Sequence, residues 1–172
     1  MQKGSAMIIL GIDPGLAIVG WGVVDYHAGK FKPLAFGAIR TPAGTRTEER
    51  LAGIYRDLNT IIDHFHPQEM AVEELFFNTN ITTGITVAEA RGVILCTAHA
   101  KGVKISEYTP LQVKQAVVGY GKAEKHQVIA MVTSILKLKK APKPDDTADA
   151  VAIAICHSQC LGSKIGKYYN QR

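Results

Sequence analysis

The sequence predicts the α/β class, and three observations predict it. Two apolar, β-rich runs flank Asp13-Pro14-Gly15 near the N-terminus. A third such run, Phe31 to Arg40, follows before any helical pattern begins. From Thr45 onward helical patterns alternate with two further short strands, and the last segments are helical.

Each element has its own warrant. Met7 to Ile12 has the length and branching of a buried strand, and Ile18 to Val24 reads the same way. Between them Pro14 fixes its own φ and Gly15 accepts positive φ, so the two runs form a hairpin. Asp13 stands where the first strand runs out. A carboxylate at the edge of an apolar sheet is costly unless something positive sits beside it. Asp13 is therefore read as a metal ligand, against the plainer alternative of an Asp that only starts the turn.

Phe31 to Arg40 closes an antiparallel meander. Thr45 followed by Glu48 predicts a capping box. The helix it opens runs to about Phe65, with Leu51, Ile54, Leu58, Ile61 and Ile62 on one face. His64 and His66 fall at its C-terminal end, where imidazolium suits the dipole, and Pro67 ends it. Glu69 to Leu75 is a short strand. Glu73 and Glu74 occupy places where apolar residues are expected, and in a strand they point to opposite faces. Periodicity does not choose between them, and the plain reading leaves both solvated at a strand end. Phe76-Phe77 then opens a polar loop. One aromatic can act as a stacking platform or wedge for nucleobases; alternatively both fold back on the core.

Ile81 to Ala100 predicts a long helix, apolar on several sides and so buried nearly all round, by the sheet and by a second subunit. Its Arg91 reads as a buried ion-pair partner ahead of a phosphate contact. Val103 to Tyr108 is a fifth strand. Thr109, Pro110 and Gln112 mark the next helix start by cap, first-turn proline and capping-box glutamine. That helix carries Lys114 and ends at Gly119-Tyr120-Gly121-Lys122, which lacks the glycine spacing and the Ser or Thr of a Walker loop. Another helix follows with Lys125, and with Val128, Met131, Val132 and Ile135 as its buried face. Lys114, Lys122 and Lys125 bracket one loop. They are solvated surface lysines or, on the sharper reading, a phosphate-gripping patch. After a basic, proline-broken linker, Asp145, Asp146 and Asp149 open a final apolar helix running to Cys160. Acids suit a helix N-terminus. Yet Asp146 and Asp149 share a face, and the packing of this helix on the sheet can aim both at the strand ends.

The 172 residues suit one domain with a real core, and no internal repeat or second domain is visible. A net charge of +5 suggests a polyanionic partner. The three cysteines, Cys96, Cys156 and Cys160, read as buried thiols of a reduced compartment; Cys156 and Cys160 share a helical face without a second pair to complete a zinc site. No run is apolar and long enough to cross a membrane and no signal peptide is visible, so the expected localisation is cytoplasmic. Residues 1–6 read as an expression scar before a natural start at Met7. Residues 7–161 form the domain, and residues 162–172 form a short, basic tail expected to be disordered.

Together the stretches GIDPGLAIVGWGVV, AVEELFFNTN, AEARGV, VKQAVVGYGKAEK and DDTADAVAIAI resemble the RuvC family of Holliday junction resolvases, in that family's order from Met7 to about Cys160. The resemblance implies a ribonuclease H-like mixed five-stranded sheet, three strands antiparallel and then parallel, flanked by helices. It implies Asp13, Glu73, Asp146 and Asp149 as catalytic, metal-binding carboxylates, which selects Glu73 over Glu74 and Asp146 over Asp145. It places Lys114 and Lys125 near the cleaved strand and Phe76 against bases near the crossover. Lys122 stands where another small residue can replace the lysine. The resemblance further implies a homodimer, for which the helix from Ile81 to Ala100 is the candidate interface, four-way junction DNA as substrate, and work beside a RuvA–RuvB branch-migration complex.

The chemistry fits independently of the name. Four crowded carboxylates repel and call for cations; hard oxygen donors suit two Mg²⁺ ions per site, with Mn²⁺ as a substitute. Two metals about 4 Å apart clamp an in-line displacement at phosphorus, giving a 5′ phosphate and a 3′ hydroxyl. No Cys–His or Ser–His pattern points to a covalent route. The expected activity is a Mg²⁺-dependent endonuclease making paired nicks in recombination and repair. The alternatives are a non-catalytic junction-binding module and an actin-like ATPase; the latter needs a second similar domain and an adenosine loop that this sequence lacks.

Overall fold

The computed structural model describes residues 6–75 and 81–161. Its elements are β1 (Met7–Asp13), β2 (Ile18–His27), β3 (Lys30–Arg40), α1 (Thr47–Phe65), β4 (Glu69–Glu73), α2 (Ile81–Ala100), β5 (Lys104–Tyr108), α3 (Pro110–Val118), α4 (Lys125–Ile135) and α5 (Asp145–Leu161). The strands form one sheet in the order β3-β2-β1-β4-β5. The first three are antiparallel, and β4 and β5 run parallel to β1.

Strand alternation divides the core into two layers. Leu10, Ile12, Val19, Val23, Met70 and Val72 face α1 and α2. Ile9, Val24, Ala71 and Tyr108 face α3, α4 and α5. Helix α5 is the most enclosed element: from Thr147 to Ser158 every residue but Asp149 is buried. It lies unusually close to β1 and β2 because three glycines, Gly11, Gly20 and Gly22, line its seat. A Cβ at Gly11 would stand 2.0 Å from the Ala150 carbonyl oxygen, and one at Gly20 the same 2.0 Å from that of Asp146. Only glycine permits so close a backbone approach.

A buried polar chain fixes the other end of α5. His157 Nε2 lies 2.7 Å from Glu69 Oε2, and His157 Nδ1 lies 2.7 Å from the Tyr108 hydroxyl. Lys104 reaches Glu69 from the surface at 3.3 Å. One side chain of α5 thus joins the start of β4 to the end of β5. The His157 hydrogen bond holds the Glu69 carboxyl below its usual range, against the push of burial.

Several local expectations are corrected. The Thr45–Glu48 capping box does not form. Helix α1 begins at Thr47 with Arg46 as an N-cap lacking any side-chain cap, and Glu48 pairs with Arg46. Strand β4 ends at Glu73, two residues early. Met131 is exposed and Ile135 half-buried, because α4 meets the core along Val128, Val132 and Leu136, a narrower stripe of spacing four. Cys96 is exposed, since α2 turns Ala90, Ile94, Thr97 and Ala98 inward. The predicted box at α3 is present: Gln112 N–H donates to Thr109 Oγ1 at 3.2 Å, and Thr109 N–H donates to Gln112 Oε1 at 2.8 Å. The proposed N-terminal scar, except Ala6, and the C-terminal tail lie outside the described residues.

His157→Ala removes the buried partner of Glu69 and leaves only the exposed Lys104, and losing a hydrogen bond to a charged group costs about 1.5–3 kcal/mol. Urea denaturation at pH 7 should show that loss. Because the folded pKa of Glu69 is depressed, this stabilisation is present above its ordinary value of 4.5 and fades as pH falls through the lower folded value. The wild-type advantage should therefore shrink on acidification below pH 4.5.

Candidate active site

The site grows from the parallel pairing of β1 and β4. Ile9 stands beside Glu69 and Ile12 beside Val72. The next residue of each strand is a carboxylate, Asp13 and Glu73. By alternation both fall on the face that α5 covers. The two acids therefore leave adjacent strands together at their C-terminal ends, where open α/β sheets ordinarily bind ligands. Helix α5 brings Asp149 over them, one turn in from its N-terminus.

Asp13, Glu73 and Asp149 line one pocket of about 220 Å³ with Lys114 of α3 and Lys125 of α4. Val113, Val128 and Ile153 form its apolar wall. Lys125 Nζ lies 3.0 Å from Asp149 Oδ2. Burial pushes the Asp13 carboxyl up to about 8, and the charges of Glu73, Asp149 and Asp146 push the same way against Lys125. Glu73 is raised by burial and then by Asp149, against Lys114 and Lys125. Asp149 is raised by burial, with the Lys125 bond opposing. Burial pulls Lys125 down, but the bond to Asp149 and the field of the three α5 acids outweigh it and leave it raised.

The remaining expected residues are placed differently. Asp146 is half-buried and its charge reaches Asp13, but it does not line the pocket; its backbone oxygen lies over Gly20. Asp145 pairs with Lys143 at 3.3 Å. Glu74 lies past the end of β4, its N–H donating to the Tyr108 carbonyl at 2.8 Å. Lys122 is exposed and outside the pocket, unlike Lys114 and Lys125. Phe76 lies outside the described residues. Arg91 pairs with Glu107, as expected, and its Nε also donates to the Glu73 carbonyl at 3.4 Å. That second bond, a support for the backbone of a pocket acid, was not foreseen. Nor was the Glu69–His157 chain. Its signals were a charge at the first position of an apolar strand and a histidine amid the alanines of α5.

The donor set suits a hard divalent cation: three carboxylates, each raised by burial and further by neighbouring acids' charges, with no sulfur or imidazole among the described residues that line the pocket. Among the described residues no three metal-ligating side chains form a ready-made cage. Like charges hold the acids apart, and Lys125 occupies Asp149.

The sequence pattern of the crossover junction endodeoxyribonuclease RuvC family matches residues 9–157. The chain belongs to the RuvC family. The RuvC of Alkaliphilus oremlandii is 57% identical over 152 residues, covering 88% of this chain and 93% of the relative. That of Finegoldia magna is 53% identical over 165 residues, covering 96% and 99%. The structure of Thermus thermophilus RuvC in complex with a Holliday junction substrate superposes with a TM-score of 0.84 at 39% identity, covering 88% of this chain and 93% of that one. The mixed sheet of this RuvC-family chain is thus the ribonuclease H-like architecture that the sequence motifs implied.

A cation-free test follows from the electrostatics. The folded pKa of Asp13, about 8, exceeds its ordinary 3.8, so the folded chain holds a proton that the unfolded chain releases. Stability therefore falls as pH rises from about 4 to about 8. Asn cannot ionise. In EDTA, Asp13→Asn should melt above wild type at pH 8, with the gap closing toward pH 4. A gap that does not change with pH contradicts the assigned field.

Proposed function

We propose that this chain is a structure-selective endonuclease that resolves four-way DNA junctions by paired, symmetric, metal-dependent nicks. The observation that carries the reading is the convergence of Asp13, Glu73 and Asp149 on one pocket flanked by Lys114 and Lys125, in a chain of the RuvC family. Asp13, Glu73 and Asp149, with Asp146 at the margin, would hold Mg²⁺, two ions per site, or Mn²⁺ in its stead. Such ions supply Lewis-acid stabilisation of the attacking and leaving oxygens at phosphorus.

The chain's own groups do the rest. The carboxylates would hold the cations, whose charge would offset the burial and mutual repulsion that raise their pKa values. Lys125 is displaced from Asp149 toward the incoming strand, and Lys114 holds a neighbouring phosphate oxygen. The apolar wall of Val113, Val128 and Ile153 limits water around the reacting phosphate.

A junction has near two-fold symmetry, so two matched sites in a homodimer suit it. The exposed apolar strip between α1 and α2, made by Leu51, Tyr55, Val93 and Cys96 with exposed Ile85 further along α2, supports that helix pair as the dimer face. A RuvA–RuvB branch-migration complex is the partner that the family resemblance implies.

With a synthetic four-way junction and Mg²⁺, wild type should yield paired nicks ending in 5′ phosphate and 3′ hydroxyl. Asp13→Asn should abolish cutting and keep junction binding, since it removes a ligand and not the basic pair. Binding by wild type without any metal-dependent cutting across varied crossover sequences would favour the non-catalytic module instead. Lys114→Ala should weaken binding and lessen its salt dependence by about one ion. Tyr55→Glu should give monomers in sedimentation equilibrium and lose the pairing of nicks.

A further inference from the structure

A second cavity, on the far side of α3 from the carboxylates, has no part in this chemistry. We propose that Cys156 and Cys160 form a binding site for a soft, two-coordinate cation of the Cu(I) class. The two residues are one turn apart on α5, and their thiols are in hydrogen-bond contact. Both line a cavity of about 190 Å³, walled mainly by Leu111, Ala116 and the ring of Tyr108. Cys156 Sγ also lies 3.7 Å from the Gln112 carbonyl of α3. Cys156 is buried and belongs to the enclosed part of α5, and Cys160 is half-buried.

The donor count selects the ion. Thiolates favour soft metals, Cu(I) and Zn²⁺ among them. A structural Zn²⁺ takes four nitrogen or sulfur donors. Here the other polar groups are engaged. The Tyr108 hydroxyl, hydrogen-bonded to the Cys160 thiol, also meets His157 Nδ1 at 2.7 Å, and His157 Nε2 meets Glu69. Among the described residues no group of three or more His, Cys, Asp or Glu is placed to hold a metal. Two sulfurs in a largely apolar pocket suit an ion that is content with two ligands, and the bis-thiolate that results carries one net negative charge. The hydrogen bond between the two thiols holds Cys160 below its usual range, against burial, and together with burial holds Cys156 above its own. Loading forms two S–Cu bonds and releases the two thiol protons to solvent, with no change of oxidation state. Cys96, alone and exposed on α2, is the internal control.

The test uses the full chain under anaerobic conditions, with Cu(I) supplied as its bicinchoninate complex. Wild type and Cys96→Ser should each withdraw one Cu(I) per chain. Cys156→Ser and Cys160→Ser should bind more than about 100-fold more weakly, beyond the loss that even an outer-shell change produces. X-ray absorption of loaded Cys96→Ser should show two sulfur neighbours and no nitrogen or oxygen. That spectrum decides the matter even where a serine variant fails to fold. Retention of Cu(I) by either serine variant at wild-type affinity, loss of it in Cys96→Ser, failure of wild type to withdraw it, or a third donor in the spectrum overturns the assignment. None of these readouts depends on nuclease activity.

Discussion

Helix α5 lies closer to β1 and β2 than two side-chain-bearing surfaces allow. Gly11 and Gly20 remove the Cβ atoms that would otherwise strike the carbonyl oxygens of Ala150 and Asp146. Alanines along the buried face of the helix complete the fit. The consequence is positional. Asp149 can reach the ends of β1 and β4 because the helix that carries it sits almost on the backbone of the sheet. Burying so small a surface per residue gains little apolar free energy, so further anchoring is needed, and the Glu69–His157–Tyr108 chain provides it two turns beyond Asp149. The same helix is thus seated at one end by the absence of side chains and tied at the other by polar ones.

The pocket is electrostatically unfinished as it stands. Three carboxylates, each raised by burial and further by neighbouring acids' charges, face one space, and two lysines offset that field only in part. A site of this kind favours whatever adds positive charge: protons when the solution is acidic, cations otherwise. The raised pKa of Asp13 and the suitability of the donors for a hard cation are therefore the same fact seen twice. Lys125 occupies the intermediate position, lining the pocket while bonded to Asp149. Arg91, by contrast, spends its charge on Glu107 and supports Glu73 through the backbone, so it steadies the site without neutralising it.

Much of this was legible in order along the chain. Every strand and helix was predicted within a few residues, because hydrophobic alternation and helical periodicity are local. The capping box at Thr109–Gln112 was read correctly, since Pro110 at the first helical position restricts where the helix can start. The same motif at Thr45–Glu48 failed, because nothing local forbade a start one residue later, where Arg46 captures Glu48. Met131 and Cys96 failed for a related reason: periodicity reports an apolar face but not how wide a stripe the neighbouring layer covers.

By itself the sequence determined the class of fold and, by likeness to a family, nominated four acids and the basic helices that flank them. Which acids share a pocket was decided only by tertiary structure. The register of β1 against β4 places Asp13 beside Glu73, and the glycine seat lets Asp149 join them while Asp146 remains at the margin. Lys114 and Lys125 entered, and Lys122 stayed outside, according to the path of the chain between α3 and α4. The physical reason is one of range. Periodicity, capping and turn chemistry act over a few residues, whereas charge, desolvation and close backbone approach act between residues more than a hundred positions apart.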